Sequence, residues 1–360
     1  MQKQYLADFS LALINRTGAY YVCRDVVDRL PEFFAGIRYW RFVLSRRPDG
    51  LLRKLMARAM LLEISRLGAS ERLPRLGRNG LARLPTLFFD PLYVLRAKVE
   101  ERDIVLCHDV GPITHTGLFE PATTELYREA YGIIKQARPG MVFVSEASRD
   151  EFAKLYGSDY RFMKVIPLYV RNGLTLGDEK APPGVTEPFL LTVGAMEIRK
   201  NYHRTIPAFA ASGLHEKGYS YVFCGPRANN SETIETLAAA TPGIVRFGYL
   251  SDAELRWLYR RAAGFVLPSL LEGFGVPVLE ACKYGLLPII SQDGAQREAA
   301  GEGAILVDAN SVDSIAAGMN MLADMPGDER QRRRELVRAH ADSLSEKTYI
   351  IRWSELLAAG

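Results

Sequence analysis

The second half of the chain alternates short, wholly apolar segments with segments of helical periodicity. Residues 188–194 and 219–225 are apolar runs that end in glycine, and residues 201–213 between them have a helical pattern. Strands that are apolar on both faces are typical of parallel sheets covered by helices on both sides. We therefore predict a doubly wound α/β domain. Its further predicted strands and helices lie at residues 244–247, 251–263, 264–268, 277–284, 287–290 and 310–323.

The first half shows the same pattern less clearly. Its candidate strands are residues 104–107, 141–144 and 163–168, and Arg16-Thr-Gly18 lies between a further, N-terminal strand and a helix that reaches about Leu30. The polar segment 177–184 is rich in proline and glycine and is the predicted linker. We expect two Rossmann-like domains, at residues 1–178 and 186–340, that face each other across a central cleft. Ligands in such sheets lie at the carboxyl ends of the strands.

Composition narrows the class of protein further. The chain has 360 residues, of which 48% are hydrophobic and 24% charged, as in a globular protein. Its four cysteines are scattered, with no CxxC pair, which argues against a zinc site or a disulfide framework and favours the reducing cytoplasm. No signal peptide is evident, and no apolar run is long enough to cross a bilayer.

Residues 36–84 are strongly basic. They contain twelve Lys and Arg against three Asp and Glu, a local excess of nine, whereas the whole chain carries +4. Within them, residues 51–67 are predicted to form a basic amphipathic helix. One face holds Leu51, Leu52, Leu55, Met56 and Ala59, and the basic residues lie mostly off it. Contact with an anionic membrane is the favoured interpretation; a solvated helical face is the alternative, and no motif indicates nucleic-acid binding.

The segment 268–281, Pro-Ser-Leu-Leu-Glu-Gly-Phe-Gly-Val-Pro-Val-Leu-Glu-Ala, joins a predicted strand to a helix that Pro277 opens. Free amides at a helix N-terminus form an anion site suited to a diphosphate. Glu280, one turn into the helix, is placed to hold vicinal hydroxyls, and Glu272 to hold those of a sugar. From the residues alone, a tight turn with a surface glutamate explains the pattern equally well. The amides in question belong to Phe274, Gly275 and Val276.

The same segment resembles the E-x7-E signature of retaining glycosyltransferases of family 4, which have the GT-B fold. Glu272 and Glu280 match the two glutamates, and Gly-Phe-Gly and Pro match the residues between them. Residues 193–201, Val-Gly-Ala-Met-Glu-Ile-Arg-Lys-Asn, and residues 247–255 and 291–298 are similar to further blocks of that family. The resemblance is good from about residue 188 to residue 308.

This resemblance implies roles for individual residues. Lys200, with Arg199 beside it, would stabilise the leaving diphosphate. Many relatives carry an arginine where this chain has Ala195, and Arg199 is expected to compensate unless it is only a surface residue. His108, in Cys-His-Asp at the end of a predicted strand, would position or polarise the sugar, or be a structural histidine. The implied donor-binding residues are Gly18, Gly194, Asn201, Tyr249, Leu250, Phe274, Gly275, Val276 and Glu280.

The resemblance also implies a reaction, in which a hexose moves from a nucleotide sugar to a glycan or lipid-linked acceptor with formation of an α-glycoside. GDP-mannose is the expected donor, because residues 193–201 and the His-Asp segment resemble the corresponding segments of mannosyltransferases of polysaccharide and lipopolysaccharide assembly. The enzyme is expected at the inner face of the cytoplasmic membrane, held through residues 36–84. In this fold a C-terminal helix, here within residues 341–360, packs back on the first domain.

Other interpretations remain at this point. The sequence has no Asp-x-Asp triplet, so we expect catalysis without a metal and no cofactor besides the nucleotide-sugar co-substrate. The same fold also accommodates a UDP-sugar or another nucleotide sugar as donor. A GT-B sugar-nucleotide epimerase and a non-enzymatic glycan-binding scaffold are the remaining alternatives.

Overall fold

Two β-sheets, one in each half of the chain, organise the computed structural model. The structure describes residues 4–10, 18–39, 42–45, 48–67 and 83–360. It divides into unit 1, which spans Met1–Pro167 and Tyr349–Gly360, and unit 2, which spans Leu168–Thr348. The segment predicted as a linker, residues 177–184, lies inside unit 2. The strands of both sheets are parallel apart from one antiparallel pair, and helices connect most of them, so the α/β class predicted from the sequence is confirmed.

The sheet of unit 1 has seven strands in the order β3-β2-β1-β4-β5-β6-β7. All neighbours are parallel except β2 and β3, which are antiparallel. The chain order reverses between β1 and β4, so the loops after these two strands flank the switch point of the sheet. The strands are β1 Tyr5–Asp8, β2 Phe34–Tyr39, β3 Phe42–Leu44, β4 Thr86–Phe88, β5 Ile104–Cys107, β6 Gly140–Phe143 and β7 Phe162–Val165.

The helices of unit 1 pack on a core that includes Phe88, Val105, Tyr131, Phe143 and Phe152, all fully buried. Three of the strands, β2, β3 and β4, have no counterpart among the sequence predictions. The helices are α1 Gly18–Arg29, α2 Gly50–Leu67, α3 Gly111–Thr114, α4 Pro121–Ala137 and α5 Glu146–Tyr156, with 3-10 helices at Pro31–Phe33, Pro91–Arg96 and Thr116–Leu118.

The sheet of unit 2 has six parallel strands in the order β10-β9-β8-β11-β12-β13. Its switch point lies between β8 and β11, where Gly264 pairs with Leu190 and Phe265 with Leu191. The loops after these two strands are therefore neighbours at one edge of the sheet. The strands are β8 Phe189–Val193, β9 Ser220–Cys224, β10 Ile244–Phe247, β11 Gly264–Leu267, β12 Pro288–Ser291 and β13 Ile305–Val307.

Four of the helices that follow these strands, α7, α9, α10 and α12, lie close to their predicted positions, whereas α8, α11 and α13 were not predicted. The capping box at Ser251 and Glu254 is present: Ser251 Oγ accepts from the Glu254 amide, and a Glu254 carboxylate oxygen accepts from the Ser251 amide. The helices are α6 Asn172–Thr175, α7 Tyr202–Ala211, α8 Ser231–Ala240, α9 Asp252–Arg261, α10 Val276–Lys283, α11 Gln296–Ala300, α12 Val312–Ala323, α13 Gly327–Ser343 and α14 Glu346–Ala358, with a 3-10 helix at Ile198–Lys200. Among the described helices, none has both the length and the apolar character needed to cross a bilayer.

The last helix returns the chain to unit 1. From Tyr349 onward, α14 belongs to that unit, although α13 and the residues before it belong to unit 2. Trp353 of α14 is fully buried, and its ring lies 6.5 Å from the ring of Phe89, which follows β4. The apolar residues of α14 therefore complete the core at the switch point of the first sheet.

Candidate active site

The loops after β8 and β11 are fastened to each other in unit 2. The Leu270 amide donates to the Arg199 carbonyl oxygen at 2.8 Å. The Asn201 side-chain amide donates to the carbonyl oxygens of Pro268 at 2.9 Å and of Ala309 at 2.6 Å. Asn201 has a left-handed backbone, with φ of 64°, and is fully buried. In this arrangement its side chain supports the two loops, and its role in donor binding stays a prediction.

Three predicted catalytic residues form one ion cluster at this switch point. Lys200 Nζ lies 2.5 Å from Glu272 Oε1, and Arg199 Nη1 lies 3.1 Å from Glu272 Oε2. Ser269 Oγ also donates to Oε1, at 2.9 Å. The side chains of Lys200 and Glu272 are only 6% and 8% exposed, whereas that of Arg199 is 28% exposed. The cluster therefore presents Arg199 to solvent and keeps the Lys200–Glu272 pair inside.

This arrangement sets the charge state of Glu272. Burial alone would raise the pKa of its carboxyl group, but the positive charges of Lys200 and Arg199 outweigh burial, and the pKa lies below its ordinary value. Glu272 is thus an ionised carboxylate that accepts from two cations and a hydroxyl. Arg199 is oriented by a further ion pair, between its Nε and Glu197 Oε2 at 2.5 Å. The neighbouring Ala195 contributes no cation, so Arg199 and Lys200 supply the positive charge here.

The N-terminus of α10 lies next along the chain. The helix begins at Val276, one residue before the predicted start at Pro277, which is its second residue. Gly275 precedes it with φ of 99°, a left-handed conformation that favours glycine, and no side chain caps the helix. Within the described part of the chain, the amides of Phe274, Gly275 and Val276 donate to no acceptor. They form a set of free donors at the positive end of the helix dipole.

Glu280 occupies the same helix one turn further on. Burial raises the pKa of its carboxyl group to about 7, although the Tyr259 hydroxyl and the charge of Arg171 act to lower it. Tyr259 donates to Glu280 Oε2 at 2.8 Å, and its ring stacks on that of Tyr284 at 5.2 Å. Glu280 therefore loses its proton near neutral pH, in a place where one carboxylate oxygen is already oriented by a hydroxyl.

The remaining predicted residues of unit 2 stand at the ends of neighbouring strands. Gly194 follows β8; its carbonyl oxygen accepts from the Tyr202 hydroxyl at 2.9 Å, and the stem of Lys200 packs beside it. A Cβ on Gly225, which follows β9, would lie 1.9 Å from that same carbonyl oxygen, so glycine is required at this crossing. Tyr249 and Leu250 follow β10, and Tyr249 is 90% exposed. A donor-binding role for these two residues stays a prediction.

His108 lies in unit 1, directly after β5. Its Nε2 is 3.1 Å from the Phe89 carbonyl oxygen, so the ring donates through Nε2 and the neutral form has Nδ1 as the acceptor. The His108 carbonyl oxygen accepts from Ser148 Oγ at 2.9 Å, and Ser148 Oγ is also bonded to Ser145 Oγ. The ring is therefore held by the loop after β4 and its backbone by the start of α5.

Two tyrosines of α4 support the loops around His108. The Tyr131 hydroxyl donates to the Asp109 carbonyl oxygen at 2.7 Å, and the Tyr127 hydroxyl reaches the Asp90 carboxylate at 3.4 Å. Burial raises the pKa of Asp90, which the nearby His108 partly offsets. Gly18, the predicted N-terminal donor-loop residue, is the first residue of α1. The adjacent Arg16 and Thr17 lie outside the described residues.

Several side chains of these sites were not predicted. Tyr259 is 21 positions from Glu280, and Phe89 is 19 positions from His108, so no local pattern joins either pair. Ser269 lies in the segment 268–281, and its position three residues before Glu272 is the one feature of the sequence that could have predicted their contact. Among the described residues, no group of three or more His, Cys, Asp or Glu side chains is arranged to hold a metal ion.

Comparison with known proteins indicates the class of protein. Residues 178–340 match the family model described as Glycosyl transferases group 1. The O-antigen chain mannosyltransferase B of Escherichia coli is 32% identical over 133 residues, which are 36% of this chain and 35% of that protein. The O-antigen chain mannosyltransferase RfbU of Salmonella typhimurium is 24% identical over 186 residues, 51% of this chain and 50% of that protein. The chain thus spans between a third and a half of these two relatives.

Solved structures extend the likeness of the fold to nearly the whole chain. Anabaena HepE, solved in complex with UDP and glucose, has a TM-score of 0.69 at 14% identity and covers 99% of this chain and 100% of its own. WaaG, a glycosyltransferase involved in lipopolysaccharide biosynthesis, has a TM-score of 0.65 at 14% identity with the same coverage. These identities establish the fold alone. The match to the glycosyl transferases group 1 model is thus confined to residues 178–340, on a chain that has the fold of the GT-B glycosyltransferases.

Proposed function

We propose that this protein is a retaining glycosyltransferase that transfers a hexose from a nucleotide sugar to a glycan or glycolipid acceptor. The observation that supports this most is the cluster of Glu272, Lys200 and Arg199 beside the free amides that precede α10. An anion-binding helix end, fixed cations and an ionised carboxylate meet at the switch point of one sheet. This is the set of groups that binding and cleavage of a glycosyl diphosphate require.

The diphosphate of the donor is assigned to the amides of Gly275 and Val276 and to the two cations. In the unliganded protein Lys200 and Arg199 are paired with Glu272, so their positive ends are already fixed in place. As the bond between the sugar C1 and the diphosphate oxygen breaks, negative charge develops on that oxygen. Cations and amides that need no reorganisation stabilise this charge far better than water does.

The two glutamates are assigned different hydroxyl groups. Glu280, oriented by Tyr259, accepts hydrogen bonds from the vicinal hydroxyls of the ribose. Glu272 accepts hydrogen bonds from hydroxyls of the transferred sugar, while Lys200 and Arg199 turn part of their donor capacity toward the phosphates. A charged carboxylate discriminates strongly between sugars whose hydroxyls reach it and sugars whose hydroxyls do not.

Transfer with retention follows a front-face route in this proposal. The acceptor oxygen forms its bond to C1 on the side from which the diphosphate departs, and the acceptor proton passes to the departing phosphate oxygen. No side-chain nucleophile is assigned to the reaction. His108, whose Nε2 is engaged by Phe89, is assigned the positioning and polarisation of the sugar through its other ring nitrogen. No metal ion is assigned to the diphosphate, since protein cations and amides are available to it.

Mannose from GDP-mannose is the proposed donor sugar, with polysaccharide or lipopolysaccharide assembly as the process. Support comes from relatives with modest identity that are named as O-antigen mannosyltransferases. A thermal-shift screen tests the nucleotide: GDP at about 100 times its Kd adds roughly 2.7 kcal/mol to the free energy of unfolding, and UDP and CDP should add less. An equal or larger shift with UDP would replace GDP-mannose by a UDP-sugar.

The reaction itself is tested with GDP-mannose and lipid-linked glycan acceptors in the presence of EDTA. We expect an α-linked product, identified from the one-bond carbon–proton coupling at the anomeric carbon. Incubation with the donor alone distinguishes the alternatives. An epimerase would convert the donor at full rate without an acceptor, whereas a transferase hydrolyses it slowly at most. A scaffold would bind glycan and leave the nucleotide sugar intact.

We further propose that α2 holds the protein on an anionic membrane. Four leucines of this helix are exposed, namely Leu51 at 73%, Leu52 at 55%, Leu55 at 56% and Leu62 at 49%. At 100° per residue they fall within one third of the helix circumference, opposite the fully buried Met60. The exposed Lys54 and Arg58 border this leucine face on the side of Leu51. An apolar face bordered by cations is typical of helices that lie in the membrane interface.

The structure describes only part of the basic stretch to which membrane binding was assigned. Arg38, in β2, does not belong to the surface, because it is 6% exposed and its Nη1 lies 4.0 Å from Oδ2 of Asp8 at the end of β1. Arg53 is half-buried, and Arg83 is exposed. The residues of that stretch that lie outside the described residues are Arg41, Arg46, Arg47, Arg72, Arg75, Arg78 and the side chain of Arg66.

Vesicle binding should depend on the leucine face and on its flanking cations. Replacing Leu51 and Leu55 by serine is expected to weaken partitioning into vesicles with anionic lipid by at least about tenfold. Replacing Lys54 and Arg58 by glutamine should weaken it by roughly fivefold per charge. Leu126→Ser with Leu155→Ser, two leucines that are also exposed in unit 1, is the matched control and should bind normally. If flotation assays show that the two double leucine variants lose vesicle binding equally, α2 is not the membrane anchor.

A further inference from the structure

A groove of about 550 Å³ lies in unit 1, between the edge strand β7 and the helix α14. Its size is within the range of sites that bind small organic molecules. The residues of β7 line one wall, and β7 has a hydrogen-bonded neighbour only on its other side, β6. One face of α14, with Arg352, Leu356 and Ala359 at spacings of four and three, lines the other wall. None of these residues belongs to the candidate active site.

The charges along the groove are unbalanced. Among the lining side chains, Arg161, Lys164 and Arg352 are cationic and Glu355 is the single acidic one, and the backbone of Gly360 also lines the groove. Over the described ranges of the chain, none of the three cations forms an ion pair with a side-chain carboxylate. Arg161 is fixed by a hydrogen bond from Nη1 to the Arg102 carbonyl oxygen at 2.9 Å and by the ring of Phe162 at 5.4 Å. Its Nη2 also donates to the carbonyl oxygen of Gly360, so backbone oxygens and a ring, rather than a side-chain carboxylate, hold the guanidinium in place.

The floor of the groove is apolar. Val165, Ile166 and Leu356 line it; Ile166 is buried and the other two are half-buried. Lys164 and Arg352 are exposed at its sides. Cations with several donors bind phosphate oxygens well, and an apolar floor favours a ligand that also has a hydrocarbon portion. Neither feature alone selects a ligand, but together they fit an amphipathic anion.

We propose that this groove is a second ligand site, for a soluble organic phosphate that carries an apolar group. The phosphate lies between Lys164 and Arg352, within reach of Arg161, and the apolar group covers Val165 and Leu356. The site is formed only once α14 has packed beside β7, so an occupant would also fasten the C-terminal helix to unit 1. This assignment is independent of the function proposed for Glu272 and its neighbours.

Calorimetric titration with hexyl phosphate, ethyl phosphate and hexanol tests the site on the full chain. Hexyl phosphate should bind at least about tenfold more tightly than ethyl phosphate, since each methylene that becomes buried adds roughly fourfold. Hexanol should bind more weakly than hexyl phosphate by a similar factor. Lys164→Gln with Arg352→Gln should weaken hexyl phosphate binding by at least about tenfold.

The control removes the same two charges elsewhere on unit 1. Lys135→Gln with Lys154→Gln changes exposed lysines of α4 and α5 and should leave binding unchanged. Melting temperatures of both double variants verify that they fold. The proposal is overturned by equal affinity for ethyl and hexyl phosphate, or by equal affinity of the groove variant and its control. Binding to phosphatidate vesicles without any binding of hexyl phosphate would also overturn the proposal, because the ligand would then be a lipid headgroup and not a soluble phosphate.

Discussion

Replacing Lys200 by methionine is expected to lower kcat for glycosyl transfer by about 10²–10³-fold, the usual effect of losing one fixed donor to a developing oxyanion. Methionine keeps most of the stem that packs beside Gly194 but removes the charge that lies 2.5 Å from Glu272. The charge is nearly buried, so water cannot take its place. KM for the donor should change less than kcat, because the negative charge of the leaving group is greatest in the transition state.

Two further variants serve as comparisons for Lys200→Met. Arg199→Gln should have a smaller effect, about tenfold, because that side chain is 28% exposed and its charge is partly screened. Lys217→Met, which removes an exposed lysine paired with Asp324, should leave kcat unchanged. Single-turnover rates and melting temperatures should be measured together. If Lys200→Met kept more than half of the normal rate while remaining folded, Lys200 would have no role in the departure of the diphosphate.

Replacing Glu280 by glutamine is expected to weaken nucleotide binding by roughly 10–100-fold at pH 8, the effect of losing hydrogen bonds to a charged group. In the wild-type protein the pKa of Glu280 is about 7 and binding favours the carboxylate. Affinity should therefore fall as the pH drops below 7, by up to about tenfold per pH unit. The nucleotide phosphate titrates in the same range, so the measure is the difference between wild type and Glu280→Gln in calorimetric titrations from pH 5.5 to 8.5.

The same substitution should stabilise the unliganded protein at high pH. The pKa of Glu280 is raised above that of the unfolded chain, from 4.5 to about 7, so the folded state binds its proton more tightly. The wild-type protein consequently loses stability as the pH rises through this window, by about 1–3 kcal/mol. Glu280→Gln should melt higher than wild type at pH 8 and nearly equal to it at pH 4.5. Glu302→Gln, an exposed control, should show neither effect; a variant that melts equally to wild type at pH 8 would mean that burial does not strain Glu280.

Much of unit 2 was predictable because its strands are apolar on both faces and its helices begin at clear signals. The Ser251–Glu254 capping box and the Gly275–Pro277 turn each place a helix start to within one residue. The fold class also follows from this alternation of strands and helices. The strands β2, β3 and β4 are short and lie beside strongly basic or irregular sequence, so periodicity does not distinguish them from loops.

Contacts between residues far apart in the chain could not be predicted from these local sequence patterns. Lys200 and Glu272 are 72 positions apart, and only the adjacency of β8 and β11 brings them together. Asn201 is a second example: the family resemblance implies a place in the donor site, and its complete burial between the loops follows only from the fold. For α2, periodicity predicts a leucine face but does not say whether that face or the one with Met60 meets the core. That choice depends on packing against the rest of the unit.

The return of α14 to unit 1 has a consequence for the order in which a nascent chain matures. Unit 1 needs residues 349–360, which leave the ribosome only after all of unit 2. Until then, Phe89 lacks Trp353 beside it, and the loop that holds His108 is without that support. We expect unit 2 to reach its native state first, although it comes second in the chain. Packing of α14 would then complete unit 1 after unit 2 has folded.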